Sequence, residues 1–174
     1  MKVNKFINSK MERPLVFVKG KLSLPFNYFI KEIERGIAAE NNENFKTNLF
    51  SQMTNYKYFN NDKELIKLLL PIFDLIEKNN LNDNDRFILA DSWGFKMSFS
   101  HQTKKHRHCS SMLGGAIMLN KHPQKLYFPE INEEVESNPG NFVLFSGFLS
   151  HYNNRNTSDD IRYGLSFNLN YGNT

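Results

Sequence analysis

The chain has 174 residues, 14% of them aromatic with 16 Phe, which is enough apolar bulk for one domain whose core needs no disulfide or structural metal. Its formal charge of +4 comes from Lys and Arg scattered among nearly as many Asp and Glu, so nucleic acid is not indicated as a partner. Cys109 is the only cysteine, which excludes an intrachain disulfide, and the most apolar stretch, Leu65 to Ile76, is broken by Lys67, Pro71 and Asp74; with no signal-like start and no membrane span, a cytoplasmic protein is expected.

After a short polar start, Leu15-Val16-Phe17-Val18 reads as a strand, and Ser23 before Pro25 as the start of a helix. Phe26, Phe29, Ile30, Ile33 and Ile37 recur at helical spacing, opposite Lys31, Glu32, Glu34 and Arg35. An Asn-rich connection, Asn41 to Asn61, leads to a second amphipathic helix. That helix opens on Asn61-Asp62-Lys63-Glu64, carries Leu65, Leu68, Leu69, Ile72, Phe73 and Ile76 on one stripe, and should kink at Pro71.

From residue 86 the period changes to two. Trp93, Phe95, Met97 and Phe99 alternate with Gly94, Lys96 and Ser98 as in a half-buried strand. Further strands are expected at Ala116–Leu119, Leu126–Phe128, Phe142–Phe145 and Arg162–Leu169, separated by turns at His122-Pro123 and Asn138-Pro139-Gly140-Asn141. Helices first and strands afterwards predict an α+β, mainly β domain spanning 1–174, with helical support over 20–80 and a β-core over 86–170.

Three histidines carry the chemistry. On a strand, residues two apart share a face, so His106 and His108 present two imidazoles together if Arg107 points away. His151 follows the strand Phe142–Phe145 and the turn Ser146-Gly147, where a neighbouring strand brings it opposite the pair. Three nitrogen ligands leave coordination positions open, as a catalytic metal requires. Arg162, Gly164, Ser166 and Asn168 share the polar face of the last strand, where a guanidinium can clamp a carboxylate and Gly164 leaves room for it. Plainer readings also apply. Lys104 and Lys105 read as a solvated rim, His101 and His122 as surface or satisfied core residues, Cys109 as a buried small residue and Trp93 as core or pocket edge. Arg162 has a plain alternative in pairing with Asp159 or Asp160.

The succession HRH, SSMLGGAIML, PGNFVLFSGFLSH and RYGLSFNL, from about Trp93 to Asn168, resembles the Fe(II)/2-oxoglutarate-dependent oxygenases, in particular prolyl-hydroxylase-like members of bacteria and marine phages. The resemblance implies a double-stranded β-helix, or jelly roll, of cupin-like form with two N-terminal supporting helices. It implies His106 and His151 as ligands of Fe(II), and Arg162 as partner of the 2-oxoglutarate C5 carboxylate. The activity implied is oxidoreductase chemistry, a dioxygenase or hydroxylase consuming O2 and releasing succinate and CO2, in a bacterial or phage-infected cell.

The chain departs from the family pattern at three places: His108 stands where the family carries an acid, Ile117-Met118 replaces an expected Tyr pair, and Gly164 replaces a Ser. A hydroxyl assisting Arg162 must then come from elsewhere, with Ser166 and Tyr127 as candidates. The substrate is open between a protein or peptide side chain and a small metabolite. Two other readings stay open: a three-histidine cupin enzyme that does not use 2-oxoglutarate, and a non-catalytic jelly-roll binding or structural protein.

Overall fold

The computed structural model describes residues 1–9, 15–39, 48–78 and 87–172. In chain order these form strands β1 (Lys2–Ser9) and β2 (Leu15–Lys21), helix α1 (Phe26–Ala39), the two-residue strands β3 (Leu49–Phe50) and β4 (Gln52–Met53), and helix α2 (Lys63–Lys78). There follow β5 (Phe87–Met97), β6 (Gln102–His106), β7 (Leu113–Met118), β8 (His122–Phe128), a single 3-10 turn (Pro129–Ile131), β9 (Glu133–Ser137), β10 (Asn141–Ser146), β11 (His151–Asn153) and β12 (Arg162–Tyr171). The strands pair antiparallel in a seven-stranded sheet, β1-β2-β10-β7-β12-β5-β4, and a five-stranded sheet, β3-β6-β11-β8-β9. The result is a mainly β jelly roll with two supporting helices.

The continuous apolar runs of β2 and β10 follow from burial on both faces. Val16, Val18, Phe142 and Leu144 face one core, with Leu165, Phe167 and Leu169 of β12 and the helix residues Phe29, Ile33, Leu65, Leu69 and Ile72. Their neighbours Phe17, Val143 and Phe145 turn to a second core between the sheets, against Leu126, Phe128 and Val135. Each such fully buried side chain contributes about 1.5–3 kcal/mol. Helix α1 lies so close to β5 that a Cβ on Gly94 would come within 2.2 Å of Ile33.

The helices start on different signals. The first helical backbone bonds of α1 run to the Pro25 carbonyl, from Tyr28 and Phe29, so Pro25 is the residue just before the first helical turn, two positions beyond Ser23. Helix α2 is capped by Asp62, whose Oδ1 accepts the Leu65 amide at 2.8 Å while its Oδ2 accepts the Tyr28 hydroxyl at 2.5 Å. The helix runs on through Pro71 to Lys78. The turn at Asn138–Asn141 forms as expected, and Gly140 is required there: its φ is +83°, and a Cβ would lie 2.2 Å from the Leu22 carbonyl oxygen.

Several expectations are corrected. The strand through Trp93 stops at Met97, because Ser100 takes a φ of 71° in the turn that follows; Phe99 is 57% exposed there and not buried. The polar start contains β1, and between the strands expected at Leu126–Phe128 and Phe142–Phe145 lies a further one, β9, paired with β8. Cys109 is exposed, not buried. Of the Asn-rich connection, residues 41–47 lie outside the described residues.

Candidate metal centre

His106 ends β6 and His151 opens β11, and the two are direct partners in the ladder between these strands, with ring centroids 4.3 Å apart. His108 lies just past the end of β6 and not on the strand. The backbone turns inward there because the His108 amide donates to the Gly147 carbonyl at 2.8 Å and the Ser111 amide to the His108 carbonyl at 2.8 Å. A Cβ on Gly147 would come within 2.0 Å of the Ser111 carbonyl oxygen, so only glycine permits this approach. The His108 ring stands 4.9 Å from that of His151 and 5.2 Å from that of His106.

One ligand atom from each histidine falls within a 4.8 Å cluster. Every Nδ1 already has an oxygen: Lys104 carbonyl for His106 at 2.9 Å, Asn168 Oδ1 for His108 at 2.5 Å, and Leu149 carbonyl for His151 at 3.5 Å. Since carbonyl oxygens only accept, each Nδ1 carries the proton, and the Nε2 lone pairs are left for a cation.

Burial favours the neutral form of all three. It lowers the pKa of His106, brings that of His108 down to about 4, and holds that of His151 well below the ordinary range; neighbouring imidazoles act in the same direction on His108 and His151. Three neutral nitrogen donors gathered in one place suit a transition metal.

The ligand-bearing segments are tied from outside. Arg107 Nε donates to Ser150 Oγ at 3.0 Å, its Nη2 donates to Glu130 Oε1 at 3.3 Å, and the Ser150 hydroxyl donates to Glu130 at 2.5 Å. This latch joins the residue between His106 and His108 to the residue before His151.

A cavity of about 330 Å³ between the sheets is lined by the three histidines together with Arg162, Ser166 and Asn168. Arg162 is 1% exposed, and among the described residues it meets no acid. Its Nε donates to Ser137 Oγ at 3.2 Å, its two Nη atoms point to Met97 Sδ at 3.4 Å and Met118 Sδ at 3.1 Å, and its plane lies 5.3 Å from the Phe95 ring. Pairing with Asp159 or Asp160 is not found. Burial lowers the guanidinium pKa to about 10, so it remains charged at neutral pH. A buried cation held by one hydroxyl and two thioethers is short of a counter-charge, which an anionic ligand in the adjoining cavity would supply.

The sequence-derived site residues divide accordingly. His106, His108, His151, Arg162 and Ser166 all line one cavity. Tyr127 does not: Leu126 and Phe128 on β8 point into the space between the sheets, so Tyr127 faces outward, stacked on Tyr152 at 5.2 Å. The hydroxyl on Arg162 belongs instead to Ser137, on β9, a strand not among those expected. The space beside Gly164 is taken by Phe95, whose ring would lie 2.3 Å from a Cβ there, and is not free for a carboxylate. Ser137, Asn168 as partner of His108, and the Met97–Met118 pair escaped sequence reasoning, since no local pattern marks them. Thr103, buried and lining the cavity, was missed as well. His101 and His122 are structural: the first accepts the Ser98 amide and the second the Gln124 amide, each at 3.1 Å through Nδ1.

No protein-family model and no curated protein matches the chain. Solved structures do. A viral collagen prolyl hydroxylase from Paramecium bursaria Chlorella virus-1, in complex with 2-oxoglutarate, aligns over 88% of this chain and 94% of its own with a TM-score of 0.67 at 11% identity. A 2OG-Fe(II) oxygenase family oxidoreductase from Burkholderia pseudomallei aligns over 88% and 84% with a TM-score of 0.62 at 9% identity. The chain has the fold of the 2OG-Fe(II) oxygenases. A third structure with this oxygenase fold, HygX from Streptomyces hygroscopicus with nickel and 2-oxoglutarate bound, aligns over 88% and 82% with a TM-score of 0.61 at 12% identity.

Proposed function

We infer that the protein is an Fe(II)/2-oxoglutarate-dependent dioxygenase that hydroxylates a protein or peptide side chain or a small metabolite. The observation that carries this reading is the pairing, in one cavity, of three neutral histidines with a buried guanidinium that has no acid partner among the described residues. A metal alone would need the first feature and not the second; a metal-chelating keto acid with a distal carboxylate needs both.

Iron bound with 2-oxoglutarate and O2 supplies the oxidising chemistry, in which 2-oxoglutarate leaves as succinate and CO2. The chain's own residues do the rest. His106, His108 and His151 offer Nε2 lone pairs, and their Nδ1–H bonds lock each ring in that orientation. Arg162 receives the far carboxylate through two Nη groups that now face only sulfur, while Ser137 holds its Nε. Ser166, on the same face of β12, places a hydroxyl on the cavity wall. Leu49, Met53, Trp93, Phe95 and Leu126 make much of the wall apolar, which limits water around the reacting groups.

Among the described residues no helix is long and apolar enough to cross a membrane. The free, exposed Cys109 suits a reducing compartment such as the cytoplasm.

His108 in place of an acid favours one second reading, a three-histidine metalloenzyme that does not use 2-oxoglutarate. Turnover separates the two. The first reading expects 2-oxoglutarate to be consumed with uptake of one O2 and release of one succinate per cycle, slowly even without prime substrate. Absence of succinate under iron, ascorbate and air, with metal bound, would contradict it.

A further inference from the structure

The three histidines differ in what holds their outer nitrogen. His106 and His151 each turn Nδ1 to a backbone carbonyl two residues earlier in their own segment. His108 alone meets a side chain, Asn168 Oδ1 at 2.5 Å, and Asn168 Nδ2 in turn lies 3.5 Å from Asp91 Oδ2. Asp91 and Asn168 are direct cross-strand partners on β5 and β12, at the point where the register slips between Asn168 and Leu169. A β-bulge there sets the two side chains beside the end of the cavity that holds His108.

The order of donors and acceptors along this chain is fixed. A carboxylate only accepts, so the amide nitrogen must face Asp91; the amide oxygen then faces the imidazole, which must donate. Asp91 makes no ion pair among the described residues, so its charge is not spent on a lysine or arginine.

We propose that Asp91 and Asn168 are positioning residues for His108 that act in series, returning from one shell further out the negative charge that a carboxylate ligand would have supplied. The proposal rests on the reading of the three histidines as a metal centre. Three imidazoles leave a divalent cation with its full charge. A carboxylate–amide–imidazole chain polarises the His108 N–H, makes its Nε2 a stronger donor and fixes the ring plane toward His106 and His151. The amide is the link, since the His108 ring bonds Asn168 and Asn168 in turn meets the carboxylate.

The test uses Co(II) as probe and Trp93, the only tryptophan, as reporter: its ring stacks 6.3 Å from that of His108, so an open-shell ion bound there quenches its emission. Asn168→Ala is expected to weaken Co(II) binding about 10- to 100-fold, the usual effect of losing an outer partner of a ligating histidine. Asp91→Asn is expected to weaken it less. Because the two act in series, the double variant should bind no more weakly than Asn168→Ala alone.

Asn168→Asp, which keeps the acceptor and can share one proton with Asp91, should restore binding to near the wild-type level. Binding by Asn168→Ala within twofold of wild type, or full additivity in the double variant, would overturn the proposal. Should Asn168→Ala not fold, Asp91→Asn and Asn168→Asp decide: unchanged affinity in the first, or loss in the second, overturns it. Failure of wild type itself to bind Co(II) would instead remove the metal reading beneath it.

Discussion

His151 stands directly opposite His106 across the β6–β11 ladder, their rings 4.3 Å apart, so the two most widely separated ligands are brought together by backbone pairing and not by loop placement. His108 depends on a turn held by Gly147, and is the more adjustable member. Alanine at His106 or His151 should therefore reduce metal affinity by at least about 100-fold, as lost ligands do when their outer partners alone are worth 10- to 100-fold. His108→Asp should retain iron. Isothermal titration with Co(II) and Fe(II) checks both outcomes.

Arg162 is a buried charge that meets no acid among the described residues, and so should cost stability while providing binding. Arg162→Met removes a charge and keeps much of the volume beside Met97, Met118 and Phe95. Its melting temperature should equal or exceed that of the wild type without 2-oxoglutarate, because an unpaired buried ion costs about several kcal/mol. Its affinity for 2-oxoglutarate should fall by about 2–5 kcal/mol, with Co(II) binding unchanged. A variant that melts lower and still binds 2-oxoglutarate would show that Arg162 is structural.

The histidine cluster gives the metal-free protein a specific acid sensitivity. Folding lowers the pKa of His108 from 6.5 to about 4, with His151 also well below 6.5, so between those values the unfolded chain binds more protons than the folded one. Stability is thus full above about pH 6.5 and falls as pH drops toward 4. The loss expected from His108 is about 1–3 kcal/mol, seen as a lower urea midpoint at pH 5 than at pH 7.5. His108→Leu should flatten that dependence.

Much of this site can be read from the chain because period-two alternation assigns faces. On β12, Leu165, Phe167 and Leu169 go to the helices, which leaves Arg162, Ser166 and Asn168 toward the cavity. The same rule applied to Leu126 and Phe128 turns Tyr127 outward. What stays hidden is held by short polar strands: β6 and β11 have almost no apolar residues to reveal their period, and β9, which brings Ser137 to Arg162, reads as loop. Gly164 invites a ligand in sequence, but Phe95 from the neighbouring strand fills its space, a cross-strand fact that one strand cannot disclose. The Asp91–Asn168 contact is hidden for the same reason.

Asp62 joins the two helices by capping α2 and accepting the Tyr28 hydroxyl. Asp62→Ala should lower stability by about 1 kcal/mol, the usual cost of a lost N-cap, measured by thermal or urea unfolding. Metal affinity should not change, since the helices lie on the far side of the larger sheet from the cavity.

The central claim is that one cavity takes iron and 2-oxoglutarate together, and anaerobic titration tests it most directly. Fe(II) followed by 2-oxoglutarate should raise a weak visible charge-transfer band that appears only with both present, saturates at one iron per chain, and is lost in the Arg162→Met variant at the same co-substrate concentration. Iron binding with no band at saturating 2-oxoglutarate would contradict the account.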